Sequence, residues 1–231
     1  MNMKNTIERL TIYSGPLSMF GAKVQIAVLE KALDFDLVMV PYDSKRGYEP
    51  KHPEVLRINP KRQVPVLTHG AVEIFDSTQI FEYLEDIAPT PSLWPGDPAA
   101  RARARNLEHQ SDEVYFPHII KLMGLQDALT TEPAVVAIEC ANRFYGEMEK
   151  GLGSSGDSWL AGRYSFADIA FYMAALFGER QGAPLTATTP RLLAWRERMG
   201  MRKPVKTVAS AMAAWLKNAG RPVPPFMAAL S

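Results

Sequence analysis

No stretch after residue 98 of this 231-residue chain alternates apolar and polar residues as a half-buried strand does, whereas the first 88 residues interleave short strand-like runs with helical ones. That segregation predicts an α/β domain over residues 1–88 and an all-α domain over 98–231. Between them, Pro89, Pro91, Pro95 and Gly96 punctuate a linker over 89–97.

Within the first domain, Leu10–Tyr13 reads as a strand that Gly15-Pro16 breaks. Phe20, Val24, Ala27 and Val28 then recur at helical spacing, and β-branched and apolar Phe35–Val40 form a second strand. A strand–helix–strand unit of this length closes by a right-handed crossover into a parallel pair. Residues 52–57 suit a short helix ended by Asn59-Pro60. Val64–Thr68 and Val72–Phe75 flank the turn His69-Gly70 as a hairpin, and Ser77 opens a helix with Ile80, Phe81, Leu84 and Ile87 on one face. The predicted order is βαβ-α-ββα. Helical patterns then cover 98–124, 132–151, 165–180, 190–200 and 204–217.

A net charge of +1 leaves no broad field for nucleic acid or a membrane surface, and Arg101, Arg103 and Arg105 read as a solvated helix face. The one cysteine, Cys140, lies in the apolar run Val135–Phe144, where burial would make it inert. The four histidines lack metal-ligand spacing, so no metal site is expected. Residues Met1–Thr6 carry no apolar leader and no stretch is long enough to span a bilayer, so the expected location is cytoplasmic.

Two short segments carry chemistry. Val64-Pro65 opens a strand with a residue that cannot donate to a ladder, which marks an edge or a special backbone geometry. A cis bond there would turn the Val64 N–H and C=O outward, free to pair with an extended peptide. The plain alternative is an edge-strand proline. Asp76-Ser77 stands at a helix start, where unpaired N–H groups and the macrodipole favour an anion. Ser77 offers a hydroxyl and an N–H to a carboxylate, and Asp76 offers a counter-charge to an ammonium, so the pair suits an α-amino acid head group. Simple helix capping explains it equally.

Taken together, Asn59-Pro60, Val64-Pro65-Val66-Leu67, Asp76-Ser77, Ile80 and Tyr83-Leu84 resemble the thioredoxin-like domain of the soluble glutathione transferases. Tyr164-Ser165-Phe166-Ala167-Asp168-Ile169 resembles the capping box that opens a buried helix in that family's all-helical second domain. The resemblance implies glutathione as cosubstrate. Val64 would pair through its backbone with the cysteinyl unit, next to Pro65. Asp76 and Ser77 would hold the γ-glutamyl end, Gln63 would contact the tripeptide, and Lys51 and His52 would attract the glycine carboxylate. The family usually has Glu where Asp76 stands; Asp keeps the charge and is one methylene shorter.

A thiol attacks as thiolate, and a free cysteine thiol has a pKa of ~8.5. Lowering it requires a donor just after strand 1, and two serines qualify, Ser14 and Ser18. Ile12-Tyr13-Ser14-Gly15-Pro16-Leu17-Ser18 resembles the bacterial serine-type, theta-like branch, in which a serine begins helix 1. Ser18 is therefore preferred, with its N–H and hydroxyl both expected to face the ligand. The second domain would supply the electrophile wall from Tyr115, His118, Ile119 and Met123, with His118 an acid for a leaving group and Phe226 and Met227 covering the site. The resemblance further implies a homodimer. The leading expectation is a transferase acting on a small hydrophobic electrophile. The alternatives are a glutathione-dependent lyase, cleaving aryl ethers or removing halide, and a non-catalytic binding protein of the same fold.

Overall fold

A computed structural model of the chain describes residues 9–43, 45–154 and 158–230; the segment Met1–Thr6 considered above lies outside them. The chain divides into two compact units, Met1–Thr90 and Pro91–Ser231.

In the first unit, β1 (Leu10–Ser14), α1 (Met19–Glu30) and β2 (Phe35–Met39) form the crossover, followed by α2 (Pro53–Ile58), β3 (Val66–His69), β4 (Val72–Phe75) and α3 (Ser77–Ile87). The sheet runs β2-β1-β3-β4. β1 pairs in parallel with β2, and β3 is antiparallel to both β1 and β4. This is the thioredoxin-like arrangement. Side chains alternate across the sheet. On one face, Tyr13, Val64 and Phe75 pack with Tyr48 and Ile58 around buried Val40, Val55 and Val66. On the other, Ile12 and Ser14 are wholly buried, and Ser14 bonds to α1. Helix α1 is buried on nearly every side, from Met19 through Val28 except Phe20. Its burial extends to Lys23, whose ammonium lies 5.5 Å from the Phe20 ring centroid and 5.1 Å from that of Phe81.

The second unit is all helical: α4 (Pro98–Gln110), a π-helical turn (Ser111–Tyr115), α5 (Phe116–Met123), a short 3₁₀ turn (Gln126–Ala128), α6 (Glu132–Ser154), α7 (Phe166–Arg180), α8 (Pro190–Gly200), α9 (Lys203–Asn218) and α10 (Pro225–Ala228). Part of the stretch read as a linker belongs to this unit. Trp94 is fully buried 4.9 Å from the Phe166 ring, and the Phe166 N–H donates to Leu93 O. Every residue of helix α7 from Phe166 to Gly178 is buried, Asp168 being the one charged member of the span, as befits a central helix. The C-terminal segment packs on α8 and α9. Met227 is wholly buried, the Phe226 ring lies over Arg196, and Ser210 Oγ donates to Leu230 O at 2.8 Å.

The start of α7 is the polar keystone of the second unit. Ser165 and Asp168 form the capping box expected from sequence. The Asp168 carboxylate also reaches beyond it. It accepts from Ser165 N and Ser165 Oγ on one oxygen, and from Leu160 N and Trp195 Nε1, both at 3.0 Å, on the other. Burial pushes its pKa up to about 6 against the pull of those four donors. Replacing Asp168 by Ala leaves two buried N–H donors, of Ser165 and Trp195, and the half-buried Leu160 N–H without an acceptor, and should cost on the order of 3–5 kcal/mol of stability. Between about pH 4 and 6 the folded state holds the Asp168 proton that the unfolded chain has released. This group's contribution is therefore greatest below that window and falls as pH rises through it. Urea denaturation from pH 4 to 7 should show that descending component in the wild type and not in Asp168→Asn.

Candidate functional site

The register of three strands builds the site. Tyr13 lies opposite Val66, and Val66 lies opposite Phe75. One residue further along, Ser14, Pro65 and Asp76 therefore fall in a row at one end of the sheet. At an inter-strand spacing of ~4.8 Å, the row spans roughly 10 Å. Helices α1 and α3 both begin at this end, so their unpaired N–H groups and positive dipole ends meet there.

At one end of the row, Gly15–Ser18 makes a tight turn in which Ser18 N–H donates to Gly15 O at 3.1 Å. That commitment corrects the expectation that the Ser18 N–H faces a ligand. The hydroxyl is placed differently. Ser18 is the N-cap of α1, and its Oγ accepts from Gly21 N at 3.0 Å. Its O–H proton has no acceptor among the described residues. Ser18 reaches the surface at 7% exposure, whereas Ser14 is at 0% and its Oγ accepts from buried Gln25 Nε2 at 2.8 Å. Both hydroxyls crowd Gly21: a Cβ there would lie 2.1 Å from Ser14 Oγ and 3.0 Å from Ser18 Oγ. Close approach of α1 to the end of β1 therefore requires glycine at this position.

In the middle of the row, the Val64–Pro65 peptide is cis. Val64 lies outside the ladder, and its N–H and C=O have no backbone partner among the described residues. Gln63 is exposed, and its carbonyl accepts from Asn59 Nδ2 at 2.6 Å. At the far end, Asp76 caps α3 and accepts from Thr78 N at 3.0 Å. It does so at φ 77 and ψ 129, a region costing about 1–3 kcal/mol for a residue with a side chain. Ser77 is buried at the helix start, and its hydroxyl makes no hydrogen bond among the described residues.

Lys51 and His52 lie on the opposite face, ahead of α2. Lys51 pairs with Glu49 at 3.1 Å. His52 caps α2, its Nδ1 accepting from Glu54 N at 3.2 Å, and its ring stands 4.9 Å from that of Tyr13. Partial burial and the nearby Glu54 carboxylate raise the Tyr13 hydroxyl above its usual pKa. It is thus a neutral phenol packed on the α2 face.

In the second unit the structure corrects two residues expected to face an electrophile. Tyr115 is wholly buried among Phe144, Tyr145 and Phe171, and its hydroxyl contacts that of Tyr145, which donates to Ala183 O. Ile119 is buried on the same side of α5. His118 and Met123 are half-exposed. Burial, with Lys121 and Arg143 adding to it, lowers the His118 pKa, which disfavours the charged imidazolium that the expected acid role calls on. Cys140 is half-buried rather than enclosed. Among the described residues, no group of His, Cys, Asp or Glu could hold a metal ion, and no helix is long and apolar enough to cross a membrane.

Two contributors escaped the sequence reading. Gln25 sits in a helix pattern where a polar residue reads as solvent-facing. Tyr48 lies in a polar loop, yet its hydroxyl accepts from Leu17 N at 3.1 Å across 31 residues. No local signal marks either.

Comparison with known proteins agrees with this fold. A family model described as "Glutathione S-transferase, N-terminal domain" matches residues 12–92. Rat maleylacetoacetate isomerase is 36% identical over 163 residues, 68% of this chain and 73% of that protein. The probable glutathione S-transferase parC of Nicotiana tabacum is 28% identical over 81% of this chain and 83% of its own. A stringent starvation protein A homolog of Coxiella burnetii is 31% identical, and the match spans about half of each, 49% of this chain and 51% of the relative. Among solved structures, a glutathione S-transferase from the Antarctic clam Laternula elliptica superposes with a TM-score of 0.73 at 25% identity, covering 87% of this chain and 91% of that one. A Pseudomonas fluorescens family member with two glutathione bound gives 0.73 at 22% identity over 89% and 94%. The chain belongs to the glutathione S-transferase family, enzymes that take glutathione as cosubstrate.

Proposed function

We propose that this enzyme binds glutathione along the Ser14–Pro65–Asp76 row and activates its thiol through Ser18 for attack on a small hydrophobic electrophile. The observation that carries this reading is the register itself. It aligns the end of β1, from which the turn leads directly to the Ser18 hydroxyl, with an unpaired stretch of backbone and a second helix start carrying a carboxylate, over roughly 10 Å, about the extended length of a tripeptide. Val64, beside Pro65, offers strand-like pairing to the cysteinyl unit. Asp76 offers charge to the γ-glutamyl ammonium, and Ser77 with the start of α3 offers donors to its carboxylate. Gln63, Lys51 and His52 stand on the side of the glycine carboxylate. The Ser18 proton, without an acceptor among the described residues, is available to the sulfur, as expected of a serine-type branch; Ser14 is enclosed and serves packing.

A cytoplasmic homodimer is the assembly and setting this reading adopts. The 36% identity to rat maleylacetoacetate isomerase favours a second reading at the same site. In it the thiolate adds to an activated double bond, the resulting single bond rotates, and the thiolate is expelled.

Retention on immobilised glutathione is the first test, and a chain that passes through unretained would refute the binding reading. Turnover of a generic aryl halide against a conjugated cis-alkene then separates conjugation from isomerisation. Ser18→Ala should raise the bound thiol pKa by about one to two units, each worth ~1.4 kcal/mol, and lower turnover at pH 6.5 by about 10- to 100-fold. Ultraviolet titration of bound thiolate measures this. A shift produced by Ser14→Ala instead would reassign the role. Asp76→Asn removes the charge but keeps a cap, and should weaken glutathione binding by about 10-fold or more in calorimetry, because hydrogen bonds to charged groups contribute ~1.5–3 kcal/mol.

A further inference from the structure

The turn that presents Ser18 has an incomplete set of internal hydrogen bonds. Ser18 N–H is bonded to Gly15 O, and Pro16 has no N–H to give. Leu17 N–H is a further donor of the turn. Gly15, Pro16 and Ser18 are all buried around it and Leu17 itself is half-buried, so an N–H left here without a partner is costly. Its partner is the Tyr48 hydroxyl oxygen at 3.1 Å, supplied from the loop between β2 and α2.

Tyr48 is held from several sides. Its ring packs against the Val40, Val55 and Val66 cluster and meets Tyr42 edge-on at 4.9 Å. The loop behind it is closed by a reciprocal pair of backbone bonds between Asp43 and Gly47, both 2.7 Å. Asp43 Oδ1 also accepts from Lys45 N and Arg46 N at 2.9 Å. The ring fills the space above Gly15, where a Cβ would lie 2.2 Å from Cε1 and 2.6 Å from the hydroxyl oxygen. Gly15 is not among the residues with positive φ, so the backbone would accept alanine; what excludes a side chain there is the Tyr48 ring.

From this we infer that Tyr48 is a positioning residue for thiol activation: it pins the Gly15–Ser18 turn through Leu17 N–H and so fixes where the Ser18 hydroxyl points. The inference rests on the glutathione reading above and extends it to a residue that does not touch the sulfur. Loss of the pin frees Leu17 N–H and lets the turn relax, moving Ser18 Oγ while leaving Val64, Asp76 and Ser77 untouched. The defect should fall on the thiol's acidity and on kcat, not on glutathione affinity.

The test uses the full chain with glutathione as the probe. Tyr48→Phe should keep the glutathione KM within about threefold, raise the pKa of the bound thiol by about one unit, and lower kcat at pH 6.5 by about tenfold. Gly15→Ala, which pushes the ring away, should reproduce that pattern. In a Tyr48→Ala background, adding Gly15→Ala should change neither quantity further, because the obstructing ring is gone. Thermal denaturation of each variant confirms that it is folded, and a stability loss alone would not move the bound-thiol titration. An unchanged titration in Tyr48→Phe, beside a wild type whose bound thiol titrates low, overturns the inference and leaves the glutathione reading standing. So does a Gly15→Ala defect of equal size with and without Tyr48. A wild type that gives no thiolate band with glutathione overturns the glutathione reading and this extension of it.

Discussion

The antiparallel pairing of β3 with both β1 and β4 is the constraint on which the candidate site depends. A strand ladder has a period of two, so a one-residue slip of β3 would turn Val66 from the α2 face to the α1 face and carry the neighbouring Pro65 and Val64 with it. The buried cluster around Val40, Val55 and Val66 on one side, and Ile12 and Leu67 on the other, makes that slip unfavourable. Core packing on two faces thus determines which residues stand at the sheet's end. No residue of the row needs to interact with another for the row to exist.

The polar groups follow one pattern in both units: a helix start is held by a side chain, and that side chain is made specific by contacts from far away in sequence. Ser18 caps α1 on a turn secured by Tyr48. Asp168 completes the cap of α7 while accepting from Leu160 and Trp195. Glu149 on α6 accepts from Arg191 N and Leu192 N at the start of α8. Such long-range caps remove orphan donors and tie elements together in one step, at sites where an unsatisfied group would be costly.

Much of this was legible because it is local. Pro and Gly punctuate the hairpin and the end of β1, while Ser, Asp and Pro mark helix starts within a residue or two of where they occur. What failed was phase and distance. The pattern over 98–124 reads as one helix, but the π-helical turn Ser111–Tyr115 inserts a residue, and each residue of an α-helix turns the side chain by about 100°. Tyr115 thereby faces Tyr145 and Phe171 rather than solvent. Lys23 was invisible for a different reason. A lysine in a helix pattern reads as exposed; Phe20 is one turn away on the same helix, but only the fold brings Phe81 over its ammonium. The Tyr48–Leu17 contact spans 31 residues and has no periodicity to betray it.

Gly21 carries a consequence of its own. Two serines, one at the end of a strand and one at the start of a helix, share the single empty volume beside its Cα. Their side chains are therefore sterically coupled, although they are four residues apart and play unequal parts. Shortening Ser14 to alanine would not by itself admit a side chain at 21, because the Ser14 Cβ at 3.1 Å and the Ser18 Oγ at 3.0 Å still crowd the position from both elements. The distance between sheet and helix, and with it the height at which the Ser18 hydroxyl stands above the row, is thus set by a side chain that is absent.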